Sequence, residues 1–262
     1  MNTHIFQQYF KHYSVADAPF MHQQFEEWAN IRPLAGLKIL HHVPVVCNTL
    51  LKVACLIEAG AEVTITNPSS FVTADPKTVS FLLQNGLRYE EVLNELTEEK
   101  WDIYLDCGAE LYQALGAPNI GAVELTGSGD QYYRQHHVNF PVLSIDHSQT
   151  KQLETVFGSS ESVAQAIKIL KNINPTEKSW LIFGFGKIGR GIAHYCVQNH
   201  IPVTIIEPLP EAQAVAQSLG LKVIYPDDLL AVESAIKYSE IIITATGQAN
   251  IMEARANASK FL

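Results

Sequence analysis

The 262-residue chain is short of several things, and each shortage excludes something. It has 4 cysteines, Cys47, Cys55, Cys107 and Cys196, and no two are spaced as C-x-x-C. Scattered thiols fit a reduced, cytoplasmic chain better than a disulfide framework. No apolar run approaches the roughly 18 residues that a membrane-crossing helix needs. Met1 to Phe20 mixes polar side chains with aromatics and has no apolar centre of a signal peptide. Positive charge is scarce: 18 Lys and Arg against 27 Asp and Glu give a net charge of −9. With no basic cluster, a nucleic-acid partner is not expected. Histidines pair at His41–His42 and His136–His137, but neighbours on a strand face opposite ways and do not readily share a metal.

What is present is alternation. Short β-rich runs at Lys38–His42, Glu62–Thr66, Asp102–Asp106, Ala122–Leu125 and Val142–Asp146 are separated by helical patterns at Cys47–Ala59, Pro76–Asn85 and Glu110–Leu115. Gly60, Asn67–Pro68, Gly86 and Gly116 mark the joins. Strand and helix in alternation predict an α/β fold with a mainly parallel sheet. A helix is expected over Ser160–Asn172, capped by Ser160, with Val163, Ile167 and Leu170 on one face; it reads as the connector between domains 1–160 and 161–262. A second α/β run follows: strand Trp180–Phe183, helix Gly189–Gln198, strand Val203–Ile206, helix Glu211–Leu219, strand Val223–Tyr225, helix Asp228–Tyr238 and strand Ile241–Thr244. A full dinucleotide fold has about six strands, so the second domain is expected to be an incomplete Rossmann unit.

The strongest motif is Gly184-Phe-Gly186-Lys187-Ile188-Gly189, directly after the apolar strand from Trp180 and before a helix. In G-x-G-x-x-G the first glycine permits the turn and the second lets backbone approach a pyrophosphate. The third allows helix and strand to pack closely. The helix start then offers N–H groups and a positive dipole end to phosphate. Eighteen residues past Gly189, at the end of the next strand, stands Glu207. A carboxylate there binds a ribose diol and repels a 2′-phosphate, which points to NAD rather than NADP. Thr246 and Gly247 follow a later strand, at a carboxyl end where ligands bind. Gly127-Ser-Gly129-Asp130 reads as a plain turn, and Cys107 as a buried structural thiol.

These residues resemble the S-adenosyl-L-homocysteine hydrolase (adenosylhomocysteinase) family. The resemblance covers Phe183–Gly191, Glu207 and Thr244–Gly247. It also covers Asp146–Lys151 with Val156-Phe157-Gly158, Gly60–Val63, Leu105–Glu110 and Val123–Thr126. The resemblance implies a substrate domain followed by an NAD domain in a homo-oligomer, dimer or tetramer, of one-carbon metabolism. Its small-molecule substrate is a thioether nucleoside. The implied chemistry is transient oxidation of the ribose 3′-hydroxyl, elimination of a thiol, addition of water and reduction back. Carried over by position, Lys151 contacts the ribose hydroxyls, Glu154 stands for the family's catalytic Asp, Glu124 binds ribose and His42 substitutes for a catalytic His. Thr126 and Thr155 fall at cofactor-contacting positions.

The chain departs from the family pattern in ways that bear on activity. Cys107 replaces an Asp used in proton transfer, and a thiol is a different kind of acid. Lys187 stands where the family commonly has Asp. His42 matches only with two residues inserted before the helix. The family's C-terminal G-H-F segment is not reached before Leu262. Two further readings therefore stand beside hydrolysis: an inactive or regulatory NAD- or nucleoside-binding relative, and an unrelated NAD dehydrogenase.

Overall fold

The computed structural model describes residues 3–247 of the chain. Two compact units divide at Ser148 and Gln149. The first begins with α1 (Gln7–His12) and α2 (Pro19–Ile31). Then come β1 (Lys38–His42), α3 (Leu50–Glu58), β2 (Glu62–Thr66), α4 (Pro76–Gln84) and β3 (Arg88–Tyr89). It closes with β4 (Ile103–Asp106), α5 (Glu110–Leu115), β5 (Gly121–Glu124), α6 (Gly127–Gln135) and β6 (Val142–Ser144). All six strands pair in parallel in the order β3-β2-β1-β4-β5-β6. Strand order reverses between β1 and β4, and in open α/β sheets the crevice beyond such a switch point is where ligands bind.

Strand periodicity explains the layers. Ile39, Val63 and Ile65 bury one face against Leu50, Val53 and Ala54 of α3. Leu40, Tyr104 and Ala122 bury the other against Leu111 and Tyr133 from α5 and α6. A sheet covered on both faces accounts for the nearly continuous apolar strands in the sequence.

The second unit opens with α7 (Gln149–Lys171), followed by β7 (Trp180–Phe183), α8 (Lys187–Gln198), β8 (Val203–Ile206) and α9 (Pro210–Ser218). It continues with β9 (Lys222–Ile224), α10 (Leu229–Tyr238) and β10 (Ile241–Thr244). Its four strands are parallel in the order β10-β7-β8-β9. The switch point is therefore beside β7, at the glycine loop.

Two expectations need correction. The connector helix begins at Gln149, not at Ser160, and passes through Gly158 unbroken. Ser160 is no cap: its hydroxyl donates to Val156 O at 3.1 Å and Phe157 O at 2.9 Å inside the helix. The helix persists there because it packs on α8 at close range. A Cβ on Gly191 would lie 2.2 Å from Val156 O. Second, Gly127–Asp130 is the first turn of α6 rather than a loop, with Thr126 accepting from Gly129 N at 3.1 Å as its cap. The sequence offers no sign of the short edge strand β3, whose two residues are too few to show a period. No helix among the described residues is long and apolar enough to cross a membrane.

Candidate functional site

In the second unit the residues of the glycine motif converge. Gly184 has φ +94°, a conformation that favours glycine. A Cβ on Gly189 would lie 2.1 Å from Gly184 O, so helix α8 can approach the end of β7 only without a side chain there. A Cβ on Gly186 would meet nothing within 4 Å. Its bareness therefore serves no internal packing and leaves the approach to α8 open. No side chain caps α8, whose N-terminal turn starts at Lys187, so this end of the helix is available to an anion.

Glu207, only 5% exposed, is held from both sides. Its Oε2 accepts from Phe185 N at 2.6 Å and its Oε1 from Leu209 N at 2.9 Å. Each carboxylate oxygen has two lone pairs, so one on each is left for a ribose diol. The carboxylate lines a cavity of about 480 Å³, together with Gly184, Gly186, Pro208, Pro226 and Thr246. Arg190 does not line this cavity. Its Nε donates to Phe185 O at 3.0 Å and its guanidinium lies over the Phe185 ring, 5.6 Å from the centroid. Among the described residues no cation lines the cavity beside Glu207, and the donor set fits NAD.

The other cofactor candidates are dispersed. Gly247 is exposed with φ +66°, and Ile188 is exposed on the first turn of α8. Lys187, Ile188, Gly189 and Gly247 are not among the residues lining the cavity. Thr155 spends its hydroxyl within α7, donating to Lys151 O at 2.8 Å. Lys151 and Glu154 form an ion pair at 2.9 Å on the same helix, with Glu154 largely exposed. The i,i+3 spacing of a helix start produces this pairing directly.

Thr126 belongs to the first unit. It caps α6, accepts from Gly108 N at 3.0 Å and donates to Glu124 Oε1 at 2.7 Å. Glu124 is fully buried and accepts from Gly108 N and Ala109 N at 3.0 Å and from Thr126 N at 2.7 Å. Burial pushes its carboxyl up, opposed by the Thr126 and Gly108 hydrogen bonds. Glu124 thus fixes the turn after β4, where Gly108 and Ala109 both have positive φ. Asp106 does the same one strand away, accepting from Cys107 N at 2.8 Å, Leu111 N at 3.1 Å and the Tyr133 hydroxyl at 2.6 Å.

His42 is buried between Thr66 Oγ1 at 2.7 Å from Nδ1 and Glu110 Oε2 at 2.8 Å from Nε2. Glu110 also accepts from the Ser70 hydroxyl. Sequence reasoning missed Glu110, Asp106 and Ser70. Their signal was the topology: only when β4 lies beside β1 does the first residue of α5 meet the last residue of β1. Cys107 is buried, as expected.

Comparison with known proteins finds a family match in the second unit. Residues 155–259 match the family described as S-adenosyl-L-homocysteine hydrolase, NAD binding domain. An adenosylhomocysteinase of Archaeoglobus fulgidus is 27% identical over 87% of this chain and 60% of its own length. An S-inosyl-L-homocysteine hydrolase of Methanococcus maripaludis is 26% identical over 87% and 59%. An adenosylhomocysteinase of Aeropyrum pernix is 25% identical over 86% and 58%. The chain spans about 60% of the length of these relatives. NAD is the cofactor these matches and the Glu207 cavity indicate in common.

Proposed function

Because the chain is a divergent relative of the S-adenosyl-L-homocysteine hydrolases, we propose that it hydrolyses S-adenosylhomocysteine or a related thioether nucleoside by transient oxidation of the ribose 3′-hydroxyl. The observation that carries this reading is the glycine loop and Glu207 around one cavity, in a segment matched by that family's NAD domain. Bound NAD supplies the hydride acceptor for the ribose carbon. The chain does the rest. The α8 start holds the pyrophosphate, and Glu207 holds the adenosine ribose of the cofactor. Lys151, steadied by Glu154, orients the substrate hydroxyls. His42, fixed by Glu110 and Thr66, takes the proton from the carbon next to the transient ketone, and the thiol leaves from the carbon beyond it. The first unit is the substrate domain, and Glu124 shapes its floor through the 108–109 turn. The same reading includes a soluble cytoplasmic homo-oligomer, dimer or tetramer, supported by exposed Ile169 and Leu170 on α7.

The relatives' names include both adenosyl and inosyl substrates, so the test offers both. Release of homocysteine thiol from either compound by the NAD-loaded chain, abolished in Lys151→Ala, is the expected result. Bound NAD with no thiol release from either would contradict the proposal.

A further inference from the structure

The first sheet carries a second polar cluster, on the face opposite His42. Strand alternation places His41 with Ile39, under α3, while His42 turns to α5. His41 is 1% exposed, and among the described residues neither ring nitrogen has a hydrogen-bond partner. Lys52 reaches the same place from α3. It is close enough to His41 for its charge, after burial, to help hold that imidazole well below its usual range. Cys107 continues the line of Leu105, which is paired with His41 across the β1–β4 register, and its charge acts on Lys52.

This cluster has a cation and, beside the Cys107 thiol, no carboxylate. Among the described residues no carboxylate pairs with the Lys52 ammonium. The nearby carboxylates are committed elsewhere: Asp106 to three N–H groups and the Tyr133 hydroxyl, Glu124 to the 108–109 turn, and Glu110 to His42 and Ser70. A partly buried ammonium and an unpaired buried imidazole both cost stability. Natural folds keep such groups mainly at functional positions. The position is right for a ligand, at the carboxyl ends of β1 and β4 where strand order reverses. The N-terminal turn of α3 adds its positive end.

We propose that Lys52 and His41 bind a carboxylate of the substrate, the amino-acid arm of a thioether nucleoside; this rests on the function proposed above. One ammonium and one neutral imidazole N–H offer a single positive charge and two donor directions. That matches a monoanion with two oxygens, whereas a phosphate dianion would keep a charge uncompensated.

Calorimetric titration of the NAD-loaded protein compares S-adenosylhomocysteine with 5′-methylthioadenosine, the same thioether without the carboxylate. The wild type is expected to prefer the carboxylate ligand about tenfold, a preference that Lys52→Met abolishes while leaving methylthioadenosine binding unchanged. The same variant is expected to have a higher Tm without ligand, because an uncompensated cation is gone; a merely structural lysine would lower it. Equal binding of both ligands by the wild type, or equal weakening of both in the variant, would overturn the subsite and leave the proposed function standing. Binding of neither nucleoside would overturn both.

Discussion

At the residue scale, the cofactor loop is constrained more by what is absent than by what is present. Gly189→Ala places a Cβ 2.1 Å from a carbonyl that cannot retreat without moving the end of β7. Overpacking of this kind costs about 1–3 kcal/mol, so a lowered Tm and loss of NAD binding by calorimetry are expected together. Glu207→Gln is expected to weaken NAD at least tenfold and to narrow its advantage over NADP, because the repelling charge goes while the shape stays. Lys52 offers a pH signature. Burial pushes its ammonium down from 10.5 to about 8, with Cys107 opposing; His41 is the other titratable group beside it. A depressed lysine binds fewer protons when folded, so its contribution is fully present above 10.5 and lost as pH falls through about 8. The Tm of the wild type minus that of Lys52→Met should therefore rise across this window. Cys55 and Cys196, both pushed up to about 12 by burial, act oppositely but equally in the two proteins. A difference that stays flat with pH would refute the assignment.

At the element scale, most of the fold was legible. The strands Lys38–His42, Glu62–Thr66, Trp180–Phe183, Val203–Ile206 and Ile241–Thr244 lie where their apolar runs end at Gly, Pro or Asn, because a parallel sheet covered on both faces leaves little room for polar residues. Helix α7 was read short because Gly158-Ser159-Ser160 is a local stop signal, and the contact that overrides it is tertiary. Gly191 lets α8 press on Val156 of α7, and this packing holds the helix through the weak stretch. Gly191→Val is therefore expected to lower amide protection in α7 and α8 while β1–β6 keep theirs, read by hydrogen exchange. Uniform loss over both sheets would contradict it. The partners of His42, and the lone position of His41, could not be read from spacing. They depend on β4 lying next to β1 in space, although the two strands are far apart in sequence.

At the scale of the whole molecule, the cavity lined by Glu207 and the buried polar cluster around His42 belong to different units. The glycine loop, Glu207 and the cavity they line all belong to the second. His42, Glu110, Glu124 and Cys107 all belong to the first. Two departures from the family pattern lie in the first unit: the thiol of Cys107 and the shifted match of His42. Cofactor binding should thus persist through changes that alter substrate chemistry. Asp106→Ala, which strands three N–H groups and the Tyr133 hydroxyl, is expected to destabilise the first unit by about 1–3 kcal/mol per group left unpaired. NAD affinity should be unaffected. The central claim, that this chain oxidises a nucleoside ribose with NAD, is tested most directly by a half-reaction: the NAD-loaded protein is mixed with adenosine and its near-ultraviolet absorbance followed. Growth of the NADH band is the predicted result, whereas a flat trace with NAD demonstrably bound would contradict it.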